Sequence, residues 1–182
     1  GADCCIAVMS GNFVQRGEPA VVNKYLRCAA AIEAGVNLCI ELPSYYAVSS
    51  AENFADGAVK LLNSLMCNYV VFGSECGDID ILYNAADILI NEPESYRTEL
   101  KSLLSNGLSF PAARQTALVN YITTFTSNSS KKTTTHLHDK SQQEIVSALS
   151  SPNNILGIEY LKALKKYKSS IKPVCISRFA TD

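Results

Sequence analysis

The stretch VNLCIELPSYYAVSSAENFADGAVKLLNSLMCNYVVFGSE, Val36 to Glu75, reads as strand, helix, strand. Val36 to Leu42 is a short apolar run stopped by Pro43, and Tyr69-Val70-Val71-Phe72 is a second one, ended by Gly73-Ser74. Short runs rich in β-branched and aromatic residues and bounded by chain-breaking residues mark strands. Between them, over Ser50 to Leu65, Phe54, Ala58, Leu61, Leu62 and Leu65 recur at helical spacing.

The same alternation extends outward. Cys4 to Met9 is a continuous apolar run closed by Ser10-Gly11, which predicts a strand buried on both faces. Tyr25 to Ala34, rich in Ala and Leu with Arg27 and Glu33 on its polar side, predicts a helix, and Gly35 stands where its C-terminal cap is expected. Downstream, helices are predicted over Ile79 to Ile90, Ser95 to Leu104 and Pro111 to Tyr121. Pro152-Asn153-Asn154 opens another, through Ile155, Ile158, Leu161 and Leu164, and Val174-Cys175-Ile176 reads as a final strand ending at Ser177-Arg178. Strand and helix in alternation predict an α/β fold, a parallel sheet with helices on both faces, followed by a mostly helical extension. In such sheets ligands bind beyond the carboxyl ends of the strands. Ser10-Gly11, Glu41 and Gly73-Ser74-Glu75 stand at those ends.

Composition narrows the classes. The chain has 182 residues, 47% of them hydrophobic, enough for a real core, so disorder is not the default. The formal net charge of −1 supplies no global field for nucleic acid, so any RNA contact must be local. No apolar run is long enough to cross a bilayer and no signal core is visible, which predicts a soluble cytoplasmic protein. The seven cysteines form no C-x-x-C pair and read as buried free thiols rather than as a zinc or redox site. Thr123 to Ser141 is a Ser/Thr/Lys tract holding His136 and His138; residues 122–141 are expected to form a flexible polar insertion.

Three places carry candidate chemistry. Ser10 to Pro19 is a polar loop whose glycines, Gly11 and Gly17, allow close backbone approach, and the Arg16 guanidinium suits a phosphate; an ordinary surface loop fits it equally. At Gly73-Ser74-Glu75, a glycine lets an adenine or ribose lie on the backbone, and amides of the helix that follows attract anions; a simple turn is the plain alternative. Asn153 and Asn154 read on the bare sequence as caps of their helix, and Arg178 as a surface arginine or a charge stabiliser for phosphate. No Ser-His-Asp set, Cys-His pair or Walker loop is present.

The segments AVMSGNFVQRGEPAVVNKYLRCAAAIEAGVNLCIELP, YAVSSAENFADGAVKLLN, YVVFGSE and SPNNILGIEYLKAL, in that order, resemble the bacterial tRNA(Met) cytidine acetate ligase family, a nucleotidyltransferase-like branch of the HIGH-type superfamily. The resemblance covers most of Ala7 to Glu75 and resumes from Ser151 to Arg178. It implies a Rossmannoid nucleotidyltransferase-like catalytic domain over residues 1–182. It also implies ATP-dependent activation of acetate to acetyl adenylate, then acetyl transfer to the wobble cytidine of elongator tRNA(Met). ATP and acetate are the implied substrates, Mg2+ the expected companion of ATP, and tRNA the partner. By the same resemblance Gly73, Asn153 (in preference to Asn154) and Arg178 contact ATP; Ser10, Gly11, Arg16, Ser74, Glu75 and Asn154 are expected in or beside that pocket.

The resemblance lacks the family's H-x-G-H loop at the start and its C-terminal portion at the end, so the sequence is expected to be incomplete at both ends and, without those histidines, to have little ligase activity by itself. A small-molecule adenylyltransferase and a non-catalytic nucleotide- or RNA-binding module are the alternatives.

Overall fold

The computed structural model describes residues 2–15, 17–128 and 142–178. They fall in two compact units, residues 1–67 and 68–182.

In the first unit β1 (Ile6–Ser10) pairs in parallel with β2 (Leu38–Leu42), Ile6 opposite Leu38 and Ser10 opposite Leu42. The crossover between them is α1 (Lys24–Glu33). Asn23 caps α1 by accepting the Tyr25 amide at 2.8 Å, and Gly35, at φ +104°, supplies the left-handed turn that ends it. β1 starts later than its apolar run. The Asn37 side chain accepts the Cys5 amide at 2.8 Å, and the Asn37 amide donates to the Cys5 carbonyl at 2.8 Å, so Cys5 is bound before the ladder begins. The strand is half-buried, not sealed on both faces as its composition suggests. A short α2 (Ser44–Ala47), not anticipated, precedes α3 (Ala51–Ser64), and Leu42, Ala47, Ala55 and Val59 form the core here.

In the second unit β3 (Tyr69–Ser74) pairs in parallel with β4 (Lys172–Ser177). The helices are α4 (Ile79–Asn91), α5 (Glu94–Ser105), α6 (Phe110–Asn128), α7 (Gln142–Ser150) and α8 (Pro152–Lys166). α8 packs on β3 and α4, so Val70 and Phe72 face Ile81, Leu82, Ile158 and Leu161 in the core, while Tyr69, Val71, Val174 and Ile176 on the other strand face are exposed. Gly157 makes the contact close: a Cβ there would stand 2.7 Å from Phe72 Cε2. Buried Glu159 on α8 is held by Arg114 of α6 at 2.6 Å and by Lys162 at 2.7 Å, which compensates the charge taken out of water.

Several expectations change. Gly73 and Ser74 are not a turn after the strand; they are its last two residues, paired with Ile176 and Ser177. The helix predicted to stop at Tyr121 runs on to Asn128, because Ile122 is buried and the Thr123 hydroxyl bonds back to the Val119 carbonyl; polarity alone did not end it. The rest of the polar tract, with His136 and His138, lies outside the described residues. The cysteines are free, but none is buried: Cys4 and Cys5 are exposed and the other five half-exposed, Cys39 and Cys175 on half-covered strands, Cys28 on α1, and Cys67 and Cys76 in the connections on either side of β3.

Candidate functional site

Because β3 and β4 are parallel, their carboxyl ends lie side by side. Ser74 stands opposite Ser177, and the Arg178 amide extends the ladder by donating to the Ser74 carbonyl at 2.9 Å. The exposed Arg178 side chain then lies over the backbone of Gly73. A Cβ on Gly73 would come within 2.9 Å of Arg178 Cδ and 3.1 Å of Cγ, so the missing side chain is what admits the arginine.

The next residue, Glu75, reaches the start of α8. Ser151 occupies the N-cap position with no side-chain cap bond, and Pro152 takes the first turn, where its missing amide costs nothing. The capping role given above to Asn153 and Asn154 belongs instead to Glu75: its Oε2 accepts the Asn154 amide at 3.2 Å, and its Oε1 accepts Asn153 Nδ2 at 2.6 Å. Burial alone would raise the Glu75 pKa. Hydrogen bonds from the Asn153 side chain and from backbone amides outweigh it, holding this carboxyl below its ordinary value.

The two asparagines have different surroundings. Asn154 is fully buried: its Oδ1 accepts from the Ser74 hydroxyl at 2.7 Å and the Glu75 amide at 2.9 Å, and its Nδ2 donates to the Ala148 carbonyl at 2.7 Å. The Ser74 hydroxyl in turn accepts the Gly77 amide at 3.1 Å. Asn154 thus fixes the chain after β3, whereas half-buried Asn153 stands at the surface of the same cluster.

Anion attraction at the helix after Gly73-Ser74-Glu75, expected above, is already satisfied from within: Asp78 caps α4, accepting the Asp80 amide at 3.0 Å and the Ile81 amide at 3.4 Å. With Glu75 on α8, both helix starts here carry a carboxylate. Arg178 therefore supplies the positive charge of the cluster. A cavity of about 260 Å³ adjoins Glu75, lined by Glu75, Cys76, Ile81, Ser147, Ala148, Ser151 and Asn154, with Gly73, Asn153 and Arg178 not on its wall. Its volume is below the roughly 300–1,000 Å³ of typical ligand pockets, room for part of a ligand. Its α7 wall was missed in the sequence, although Ile145, Ala148 and Leu149, all buried, have helical spacing. Cys76 was also missed; its thiol is 3.2 Å from the Ser74 hydroxyl.

Ser10 and Gly11, at the carboxyl end of β1, belong to the first unit. The Arg27 guanidinium donates to the Ser10 carbonyl at 2.9 Å and to the Gly11 carbonyl. Glu41 packs onto Gly11, where a Cβ would lie 2.1 Å from Glu41 Oε1, and accepts from Lys24 at 2.7 Å. The hydrogen bond to Glu41 raises the Lys24 pKa against the opposing effect of desolvation. Lys24, Arg27 and Glu41 escaped the motif reading because they converge only when β1, α1 and β2 fold together. Arg16 lies outside the described residues. Among the described residues no group of three or more His, Cys, Asp or Glu side chains is placed to hold a metal, and no helix is long and apolar enough to cross a membrane.

A family model described as HIGH Nucleotidyl Transferase matches residues 1–182. The tRNA(Met) cytidine acetate ligase of Acetivibrio thermocellus is 51% identical over 183 residues, covering 100% of this chain and 40% of that protein. The protein of the same name from Clostridium perfringens is 50% identical over 181 residues, covering 99% of this chain and 42% of that protein. The crystal structure of apo Thermotoga maritima TmcAL superposes with a TM-score of 0.84 at 39% identity, covering 99% of this chain and 40% of that one; a second crystal form of it is bound with alpha-thio ATP. The chain thus spans about 40% of the length of the curated relatives it matches.

Proposed function

The chain belongs to the HIGH nucleotidyl transferase family, and from that premise we propose that it is the nucleotide-binding part of an ATP-dependent acetate ligase. The reaction is formation of N4-acetylcytidine at the wobble position of elongator tRNA(Met) through acetyl adenylate, in the cytoplasm. The supporting observation is the cluster at the carboxyl ends of β3 and β4. Arg178 lies over the bare backbone of Gly73, and Glu75 carries Asn153 on its carboxylate, all within one unit. The name these relatives carry and the alpha-thio ATP in the Thermotoga maritima form support the same reading.

In the first step an acetate oxygen attacks the α-phosphorus and pyrophosphate leaves; in the second the cytidine N4 attacks the acyl carbon, AMP leaves and the amine proton is released. Arg178 stabilises the negative charge on the α-phosphoryl oxygens with its planar fork of donors. Gly73, by leaving room for the Arg178 stem, sets where that fork reaches, and Asn153, half-exposed and oriented by Glu75, offers its amide to the adenosine. Glu75 is ionised and repels phosphate, so its free lone pairs suit a ribose hydroxyl. Asn154, with its side-chain amide bonded to Ser74, Glu75 and Ala148, positions the Ser74-to-Gly77 turn. Mg2+ accompanying ATP would be held chiefly by the phosphates, since among the described residues no group of three or more His, Cys, Asp or Glu side chains is placed to hold it.

The test is acetate-dependent pyrophosphate release, with acetylcytidine scored in tRNA digests, in a protein carrying this chain at the relatives' full length. Product that requires both acetate and tRNA supports the assignment. ATP turnover onto a different acceptor, or ATP binding with no product, rejects it.

A further inference from the structure

The charge of this chain is uneven. Lys162, Lys165, Lys166, Lys168 and Lys172 fall within one short stretch, and no Asp or Glu occurs from Tyr160 to Thr181, in a chain of net charge −1. Lys165, Lys166, Lys168 and Lys172 fall at the end of the second unit opposite the Gly73–Arg178 cluster, where α8 stops at Lys166 and β4 starts at Lys172, with Lys162 one turn earlier on α8.

Local duties explain some of them. Lys162 pairs with Glu159 and Lys165 with Asp87, and Lys165 and Lys166 both stand in the last turn of α8, where helix carbonyls attract cations. They do not explain Lys168 or Lys172, which are exposed. Lys168 adopts φ +48°, a left-handed position after a helix that glycine or asparagine fills at least cost. Lys172 opens β4 directly opposite Tyr69, which is 57% exposed, and Lys166 Nζ lies 5.3 Å from the centre of the Tyr167 ring. Ammonium groups interleaved with accessible phenol rings suit a sugar-phosphate backbone with unstacked bases, by charge pairing and stacking together.

We propose that Lys166, Lys168 and Lys172, with Tyr69 and Tyr167, form a contact surface for the phosphate backbone of an RNA. That this RNA is tRNA rests on the function proposed above. The geometry suits it. Along α8 (Pro152–Lys166), Asn153 and Lys166 are about 20 Å apart at 1.5 Å per residue, so one RNA stem can present a base at the nucleotide end and its backbone at the lysine end.

The experiment is fluorescence anisotropy of a labelled elongator tRNA(Met) transcript against this chain over a series of KCl concentrations, with ATP affinity measured separately by calorimetry. Lys166→Glu, Lys168→Glu and Lys172→Glu combined should weaken tRNA binding by about tenfold or more and reduce the salt slope by about 2, at roughly 0.7–0.9 per neutralised phosphate. ATP affinity should be unchanged, and the corresponding triple Lys→Arg variant should bind like wild type. No tRNA binding by the wild-type chain, an unaltered salt slope in the Glu variant, or an equal loss in the Arg variant would overturn the proposal. Loss of the ATP site is read by the calorimetry alone, so the two readings fail separately.

Discussion

Ser74 donates its hydroxyl to Asn154 Oδ1 across 2.7 Å, with both side chains sealed from solvent and 80 residues apart in the chain. This bond joins the end of β3 to the first turn of α8, and every other feature of the candidate site is placed relative to it. Glu75 follows Ser74, Asn153 precedes Asn154, and Arg178 donates its amide to the Ser74 carbonyl. A buried polar link of this kind is costly if half-satisfied, which accounts for its full set of partners.

The two asparagines should therefore separate in mutagenesis. Asn154→Ala leaves the Ser74 hydroxyl, the Glu75 amide and the Ala148 carbonyl without this partner, and should destabilise the fold by about 3 kcal/mol, the buried-unsatisfied range for more than one group. Asn153→Ala should change stability by under about 1 kcal/mol, because its group is half-exposed, while weakening ATP binding. Urea denaturation and calorimetry on the same two variants check both halves.

Gly73→Ala places a methyl group against the flexible stem of Arg178. The arginine can swing away, so the fold should survive with a small change in Tm. ATP affinity should fall by about tenfold or more, comparable with Arg178→Ala at about 1.5–3 kcal/mol for a charged hydrogen bond. Arg178→Lys should recover only part of that loss, since an ammonium lacks the planar fork. The double variant should be little worse than either single one if the two residues act as one unit.

Gly157→Ala is the contrasting case. Its methyl would meet Phe72 Cε2 at 2.7 Å and Leu82 Cδ1 at 3.3 Å, ring and branch atoms inside the core. Overpacking costs about 1–3 kcal/mol, against which the better helix propensity of alanine returns about 1 kcal/mol. Net destabilisation with a wild-type urea slope is the expected result in equilibrium unfolding.

Stability should depend on pH at two limits. The Glu75 carboxyl is held below its ordinary 4.5 in the folded protein, so its contribution is present above that value and is lost as pH falls through the folded one. Glu75→Gln should flatten this acid limb. Tyr160, packed against Phe72 with ring centres 5.6 Å apart, is pushed up to about 12 by burial. Unfolded chains ionise this phenol from about 10 upward, so stability is intact below that pH and falls by up to about 3 kcal/mol as pH rises towards 12, at roughly 1.4 kcal/mol per unit. Tyr160→Phe should remove that part of the alkaline loss in denaturant titrations at fixed pH.

Much of this architecture was legible because it is local. Apolar runs stopped by Pro43 and by Gly73-Ser74, with helical spacing between them, contain the β–α–β order in neighbouring residues. Gly35 and Ser50 punctuate the helices where their chemistry predicts. What was hidden depends on distant partners. Nothing near Asn154 in sequence says that it points inward to Ser74 while Asn153 stays outside, and nothing near Glu75 says that it will cap a helix beginning at Pro152. The Glu41 contact with Gly11 and the Arg27 bonds to Ser10 and Gly11 are of the same kind. The cysteines misled for a different reason: their composition suggests burial, but exposure depends on which strand faces are covered.

The central claim is that ATP is held at the carboxyl ends of β3 and β4. A 1H–15N correlation titration of this chain with ATP reads that directly, residue by residue. The account predicts saturable shifts concentrated at the amides of Gly73, Ser74 and Glu75, the side-chain amide of Asn153 and the Arg178 Nε–H, with Arg178→Ala needing about tenfold or more ATP to reach the remaining shifts. Saturable shifts that spare these groups and fall elsewhere, or an Arg178→Ala variant that titrates with wild-type affinity, would contradict it.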